Sequence, residues 1–339
     1  MFNGKAIYNP SGKAGEYARW ACNLYVGCSN DCDYCYCKKG VLSSVMGAPK
    51  ATLKKVFKDL DHAFTVFMSE LSRNADAIRS EGGLFFSFST DPCLPETIDL
   101  TMMCVMFATG MNVPCRILTK CTGWASSPSV LGALRMVKDK VAIGFTLTGM
   151  DDMECGRTVA SNKKRIELMK ELHREGFKTF ASIEPVVDVY RAGEVFELSL
   201  GGCDFYEIGL MSGKKNYDWD ELHSFVSHVN LVLSSLSIPL YWKESVKKVL
   251  GYTPLGESVV GPNFNMFNQL ARTVRLNGKN IPCEDVLKMQ KVKVSDQVFV
   301  EFTYRDTEPS YHEVAVLVPF EKAGEIEAAV REYQQLKMK

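Results

Sequence analysis

The sequence predicts an α/β chain organised around a parallel sheet, and three observations carry that prediction. Between residues 22 and 242, short apolar runs alternate about six times with longer stretches whose apolar residues recur every three or four positions, the pattern of strands joined by helical crossovers. Residues 251–283 break this rhythm with a concentration of turn formers. Beyond them, apolar residues alternate with polar ones and a helical stripe follows. The expected architecture is a partial (β/α)6-type barrel over residues 1–250, a linker or lid over 251–283, and a small α+β module of a β-hairpin and a helix over 284–339. In a barrel of this kind, functional side chains gather at the C-terminal ends of the strands.

Taken in order, residues 1–20 read as an irregular lead-in, with Asn9, Pro10, Ser11 and Gly12 together. Residues 22–27 are a first strand. A helix follows, with Thr52 as its cap and Leu53, Val56, Phe57, Leu60, Phe64, Phe67, Met68 and Leu71 as one stripe. Strands are expected at 84–89, 115–119, 141–147, 178–183 and 204–210, and a further one at 238–242. Helices are expected at 98–111, 130–137, around Ile166, Met169 and Leu172 with Gly176 as the stop, around 195–200, and at 220–236. Val292, Val294, Val298, Val300, Phe302 and Tyr304 mark one strand of the last module, and Val314, Val316 and Val318 another. Ile326, Val330 and Tyr333 mark its helix.

Lys+Arg and Asp+Glu are both 40, so the net charge is zero and no global electrostatic footprint for nucleic acid exists. Two local basic runs stand out: Lys38, Lys39, Lys50, Lys54, Lys55 and Lys58, then Arg272, Arg275 and Lys279. Each reads either as a solvated face or as a nucleic-acid groove. The 12 cysteines do not resemble a disulfide framework, because the N-terminus lacks the apolar run of a signal peptide and several cysteines sit inside apolar runs. Reduced thiols in a cytoplasm are expected. No apolar run approaches the roughly 18 to 20 residues a membrane helix needs.

The chemistry concentrates in Cys28, Cys32 and Cys35, spaced C-x3-C-x2-C and followed by Tyr36. Thiolates are soft ligands, and three on one tight loop suit three irons of a cubane 4Fe-4S cluster, leaving the fourth iron without a protein ligand. A zinc site is the competing reading; it needs a fourth ligand, for which Cys37 or Cys22 is available. Cys104, Cys115, Cys121, Cys155, Cys203 and Cys283 show no compact ligand spacing. Other candidates end predicted strands. Ser89, Thr90 and Asp91 can hold an amino group and Lys120 a carboxylate, or they are a helix cap and a surface lysine. Thr146 or Thr148 and Glu184 are weaker candidates, and the stretch Trp242, Lys243, Glu244 and Ser245 stands where it can line the same mouth.

The C-x3-C-x2-C-aromatic loop resembles the signature of radical S-adenosylmethionine enzymes. That resemblance implies a TIM-type partial barrel, a 4Fe-4S cluster on Cys28, Cys32 and Cys35, and S-adenosylmethionine on the open iron with Tyr36 near its adenine. It also implies reductive cleavage to a 5′-deoxyadenosyl radical, with an electron donor such as flavodoxin or ferredoxin. The stretch from Ser87 to Glu96 and the run Ile117, Leu118, Thr119 and Lys120 look like the corresponding motifs of the spore photoproduct lyase-like group, often labelled DNA repair photolyase. This resemblance covers roughly residues 20–245. It implies cofactor contacts at Ser89, Thr90, Asp91 and Lys120, to which Thr146 is added from its place at a strand end, and a nucleic-acid base or nucleotide as substrate. One departure is plain: Phe88 stands where the lyases place a hydrogen-donating cysteine. Cys93 is a substitute donor, and Tyr34 falls where the lyases have a tyrosine implicated in radical relay. Two other functions remain open from the residues: radical modification of a peptide or small molecule, and a non-catalytic iron-sulfur or zinc protein that binds a partner.

Overall fold

A computed structural model describes the chain except for residues 40–42, 155, 157, 215, 269–272, 277–278, 283–285, 295–296, 307–311 and 338–339. Cys155, Arg272, Gly278 and Cys283 therefore lie outside the described residues. The chain divides into two units, Met1–Phe267 and Asn268–Lys339.

In the first unit the strands are β1 (Ile7–Tyr8), β2 (Ala21–Cys22), β3 (Tyr25–Val26), β4 (Thr52–Leu53), β5 (Leu84–Phe86), β6 (Cys115–Thr119), β7 (Val141–Thr146), β8 (Lys178–Val186), β9 (Phe205–Leu210) and β10 (Leu240–Trp242). The helices are α1 (Gly12–Gly15), α2 (Ser43–Met46), α3 (Leu60–Ser80), α4 (Ile98–Gly110), α5 (Pro128–Met136), α6 (Asn162–Arg174), α7 (Val189–Ser199), α8 (Trp219–Ser235) and α9 (Glu244–Leu250). Eight strands form one sheet in the order β1-β2-β5-β6-β7-β8-β9-β10. Apart from antiparallel β1, every neighbouring pair is parallel. The order follows the chain, as successive crossovers in one direction require. The hydrogen-bonded sheet runs from β1 to β10, a mostly parallel sheet of the expected kind, and the pairing by itself does not establish the expected partial barrel.

Both faces of this sheet are covered, which explains why its strands read as unbroken apolar runs rather than alternating ones. One face packs on the helices through residues such as Ile117, Ile143, Phe145, Ile183 and Ile208. The other collects Ala21, Phe85, Ala142, Phe180, Phe205 and Tyr241 into a separate buried cluster. Gly144 belongs to this inner layer: a Cβ on it would stand 2.3 Å from Phe180 Cζ, so the missing side chain is the space the Phe180 ring fills.

Three local expectations are corrected. The strand expected at 22–27 is two strands, β2 in the main sheet and β3 paired antiparallel with β4, with Tyr25 opposite Leu53. Thr52 is thus part of a strand and caps nothing. The long helix begins at Leu60, where the Asp59 carboxylate accepts from the His62 N–H at 2.8 Å. Leu53, Val56 and Phe57 fell at helical spacing, yet Val56 is exposed and Phe57 is buried as part of the loop before the helix. The helical stop at Gly176, with φ +87, is as expected. The strand expected at 84–89 stops at Phe86; Phe88 N–H then bonds the Asn23 side chain at 2.9 Å instead of continuing the ladder.

The second unit contains β11 (Thr273–Leu276) and β12 (Lys279–Pro282), paired antiparallel, where the sequence predicts linker or lid. After them come β13 (Val286–Val294), β14 (Gln297–Asp306) and β15 (His312–Pro319), then α10 (Phe320–Lys337). The last three strands form one antiparallel sheet, so the expected hairpin is a three-stranded meander: the alternation from Val292 to Tyr304 spans two strands, not one. Val286, Val300, Phe302 and Tyr304 meet Ala323 and Val330 of α10 in a core of their own. No helix among the described residues is long and apolar enough to cross a membrane.

Candidate functional site

A cavity of about 530 Å³, within the size range of small-molecule sites, opens where the strands of the main sheet end. Cys28, Cys32 and Cys35 line one wall. Ser89, Thr90 and Asp91 after β5, Lys120 after β6, Thr146 at the end of β7 and Glu184 in β8 line the rest, with Tyr34 and Tyr36. The topology therefore brings together side chains nearly 160 residues apart in the sequence.

The cysteine loop is built from tight turns and long-range anchors. Cys28 N–H bonds Ala48 O at 2.9 Å, Cys35 N–H bonds Cys32 O at 3.2 Å, and Asp33 N–H reaches Met153 O at 3.1 Å. Lys38 pairs with Asp31 at 2.6 Å. The Tyr34 phenol donates to Glu154, whose other oxygen is paired with Arg165; Glu154 and Arg165 are both buried. Arg165 also donates to Ala160 O and to Thr146 O, so one guanidinium ties the loop's tyrosine to the end of β7. Burial, with Glu154 alongside, holds the Tyr34 phenol well above its usual range. Tyr36 donates to Phe88 O, and Phe88 stacks on Phe85 with centroids 4.5 Å apart.

The thiols differ. Burial pushes Cys28 up to about 12, and Cys32 is raised for the same reason. Cys35 goes the other way, because the Cys37 thiol donates to it and Lys120 and Lys38 add positive charge; Cys37 is correspondingly raised. Cys35 is therefore the most acidic thiol of the loop. Burial works against the Lys120 ammonium, but Cys32 and Glu154 outweigh it and raise its pKa. Its Nζ lies 5.6 Å from the Tyr34 ring centroid.

The hydroxyls of the post-β5 segment face the cysteine loop's approach. Ser89 donates to Tyr25 O at 2.7 Å and Thr90 to Gly27 O at 2.6 Å. Asp91 accepts from Asn30, Cys93, Thr119 and Lys120. Cys93 is buried and is not among the residues that line the cavity, and burial raises its thiol well above the ordinary value. Thr148 is fully buried and accepts from Met150 N–H at 3.1 Å.

Several groups escaped the sequence reading, among them Glu154 and Asn30. Tyr17, from the lead-in, donates to Glu184 at 2.6 Å and shares a hydrogen bond with Ser182 at 2.7 Å; no local pattern marks it. Arg165 did leave a signal: Asn162, Arg165, Met169 and Leu172 are spaced three, four and three, placing an arginine on the apolar stripe of α6. Deeper in the sheet, Arg116 and Glu207 lie 3.9 Å apart, and neither Glu207 oxygen has a hydrogen-bond partner among the described residues. Burial raises Glu207 to about 7 against the pull of Lys243 and Arg116.

Among the described residues, no three His, Cys, Asp or Glu side chains stand grouped as a metal site, the three loop cysteines included. No family model matches the chain, and no curated protein matches it. Among solved structures the chain is similar to Streptococcus suis SuiB bound to S-adenosylmethionine, with 14% identity and a TM-score of 0.39. That match covers 54% of this chain and 43% of SuiB, less than half of the latter's length.

Proposed function

We propose that this chain is a radical S-adenosylmethionine enzyme. The observation that carries the reading is the meeting, in one cavity, of the C-x3-C-x2-C loop with Tyr36 and the polar ends of β5 to β7. The donor set fits an iron-sulfur cluster: three soft thiols from one loop face a single cavity, Cys35 is already acidified, and Lys120 and Lys38 supply positive charge beside the thiolates. Cys28, Cys32 and Cys35 would hold the cluster. When bound, the cluster and S-adenosylmethionine supply reductive cleavage to a 5′-deoxyadenosyl radical. The chain's share is orientation: Tyr36 lines the cavity with its phenol held by the Phe88 carbonyl, and Lys120 offers an ammonium for a carboxylate.

For the substrate, the resemblance to the photoproduct lyase-like group favours a nucleic-acid base or nucleotide, with Tyr34 and Cys93 as catalytic candidates. A second reading, modification of a peptide or small molecule, is favoured by Phe88: it lines the cavity, stacked on the Phe85 ring, where the lyases have a donor cysteine, and Cys93 is not among the lining residues. Anaerobic reconstitution and dithionite reduction test the class. The expected result is 5′-deoxyadenosine well above a Cys32→Ala control; equal amounts would overturn it. Short DNA or RNA that stimulates this cleavage favours the base, and no response to either favours the second reading.

A further inference from the structure

The Asp91 carboxylate is fully subscribed. Oδ1 accepts from Thr119 Oγ1 at 2.7 Å and Cys93 N–H at 2.9 Å; Oδ2 accepts from Asn30 Nδ2 at 2.8 Å and Lys120 N–H at 2.8 Å. A carboxylate offers about four lone-pair sites, so none is left for another donor. The donors come from three places: the cysteine loop, the segment just after Asp91, and the end of β6. Asn30 is equally occupied. Only 3% exposed, it accepts from Thr158 Oγ1 at 2.8 Å and Cys121 Sγ at 3.5 Å while donating to Asp91. Gly156 packs so closely against this turn that a Cβ there would stand 2.2 Å from Asn30 O.

We infer that Asp91 is a positioning residue: through Asn30 and the Lys120 amide it sets the cysteine loop and the Lys120 side chain in fixed relation across the cavity. The inference rests on the proposed radical reading for its purpose, though not for its test. It also redirects the role the sequence implies for Asp91, because a carboxylate with four internal donors does not hold a cofactor's amino group. Charge-assisted bonds of this kind are the strong ones, and losing an acceptor leaves buried donors unmatched.

The test is Asp91→Asn in the full chain without cofactor, read by amide hydrogen exchange. An asparagine keeps one acceptor oxygen and points an NH2 at donors on the other side. Exchange in residues 28–36 is expected to accelerate at least tenfold, while amides of α4 and β6 away from the site stay protected. Asn30→Ala, which removes the loop's side of the bridge together with the bonds from Thr158 and Cys121, is expected to do the same and serves if Asp91→Asn fails to fold. After anaerobic reconstitution, Asp91→Asn should hold less than half the wild-type iron and sulfide, and its reduced cluster should show an altered electron paramagnetic resonance spectrum before any S-adenosylmethionine is added. Unchanged loop exchange in the folded variants, or full iron content with only S-adenosylmethionine binding weakened, would overturn the inference. A wild-type protein that takes up no cluster would defeat the radical reading and leave the exchange result to decide the role of Asp91.

Discussion

Lys243 Nζ lies 2.5 Å from Glu184 Oε2, and the Tyr17 phenol donates to the same oxygen from 2.6 Å. Lys243 is 1% exposed, and a lysine so buried persists only with its charge matched. Gly209 makes the space: a Cβ there would stand 2.8 Å from Lys243 Cδ and 2.9 Å from Glu184 Oε1. Burial alone would raise the Glu184 carboxyl, but Lys243 and the Tyr17 hydrogen bond bring it below the ordinary value. Its contribution to stability is therefore complete above the unfolded-state pKa and fades as pH falls through the lower folded one. Lys243→Met is expected to cost about 3–5 kcal/mol at neutral pH in urea denaturation, and the double variant Lys243→Met with Glu184→Gln to recover much of that.

Glu207 has the opposite pH signature. Its folded pKa is raised to about 7, so the native state keeps a proton that the unfolded chain releases near 4.5. Stability from this group is present below the unfolded value and lost as pH climbs through the folded one, by about 3 kcal/mol in all. Denaturation series between pH 5 and 8 are expected to show this decline in the wild type and a flatter profile in Glu207→Gln. Parallel profiles would mean that the carboxyl is already ionised in the fold.

Packing in the inner layer has its own test. Gly144→Ala sets a methyl carbon against the Phe180 ring in a layer closed on both sides, and overpacking of this kind costs about 1–3 kcal/mol. The loss is expected in thermal unfolding, and Phe180→Leu in the same chain is expected to relieve part of it.

In the second unit the Phe302 ring is completely buried between the meander and α10. Phe302→Ala is expected to lower local stability by about 3–5 kcal/mol, read as faster amide exchange along β13, β14 and β15. Protection equal to that of wild type would show that this core is not what holds the meander.

What the sequence by itself determined is what neighbouring residues encode. The alternation of strand and helix was legible because strands covered on both faces are continuous apolar runs and α3, α6 and α8 carry long periodic stripes. The cysteine triad was legible because its spacing is local. The false helix start at Thr52 shows the limit: Leu53, Val56 and Phe57 have helical spacing, but a strand partner at Tyr25 and Val26 claimed the first of them. Only the tertiary structure decided which polar side chains meet. Tyr17 reaches Glu184 across 167 positions, Tyr34 reaches Glu154 across 120, and Asp91 gathers Asn30, Thr119 and Lys120 from two other segments. A buried donor or acceptor must find its partner wherever the fold places one, so the pairing follows from topology and is not written in any local stretch.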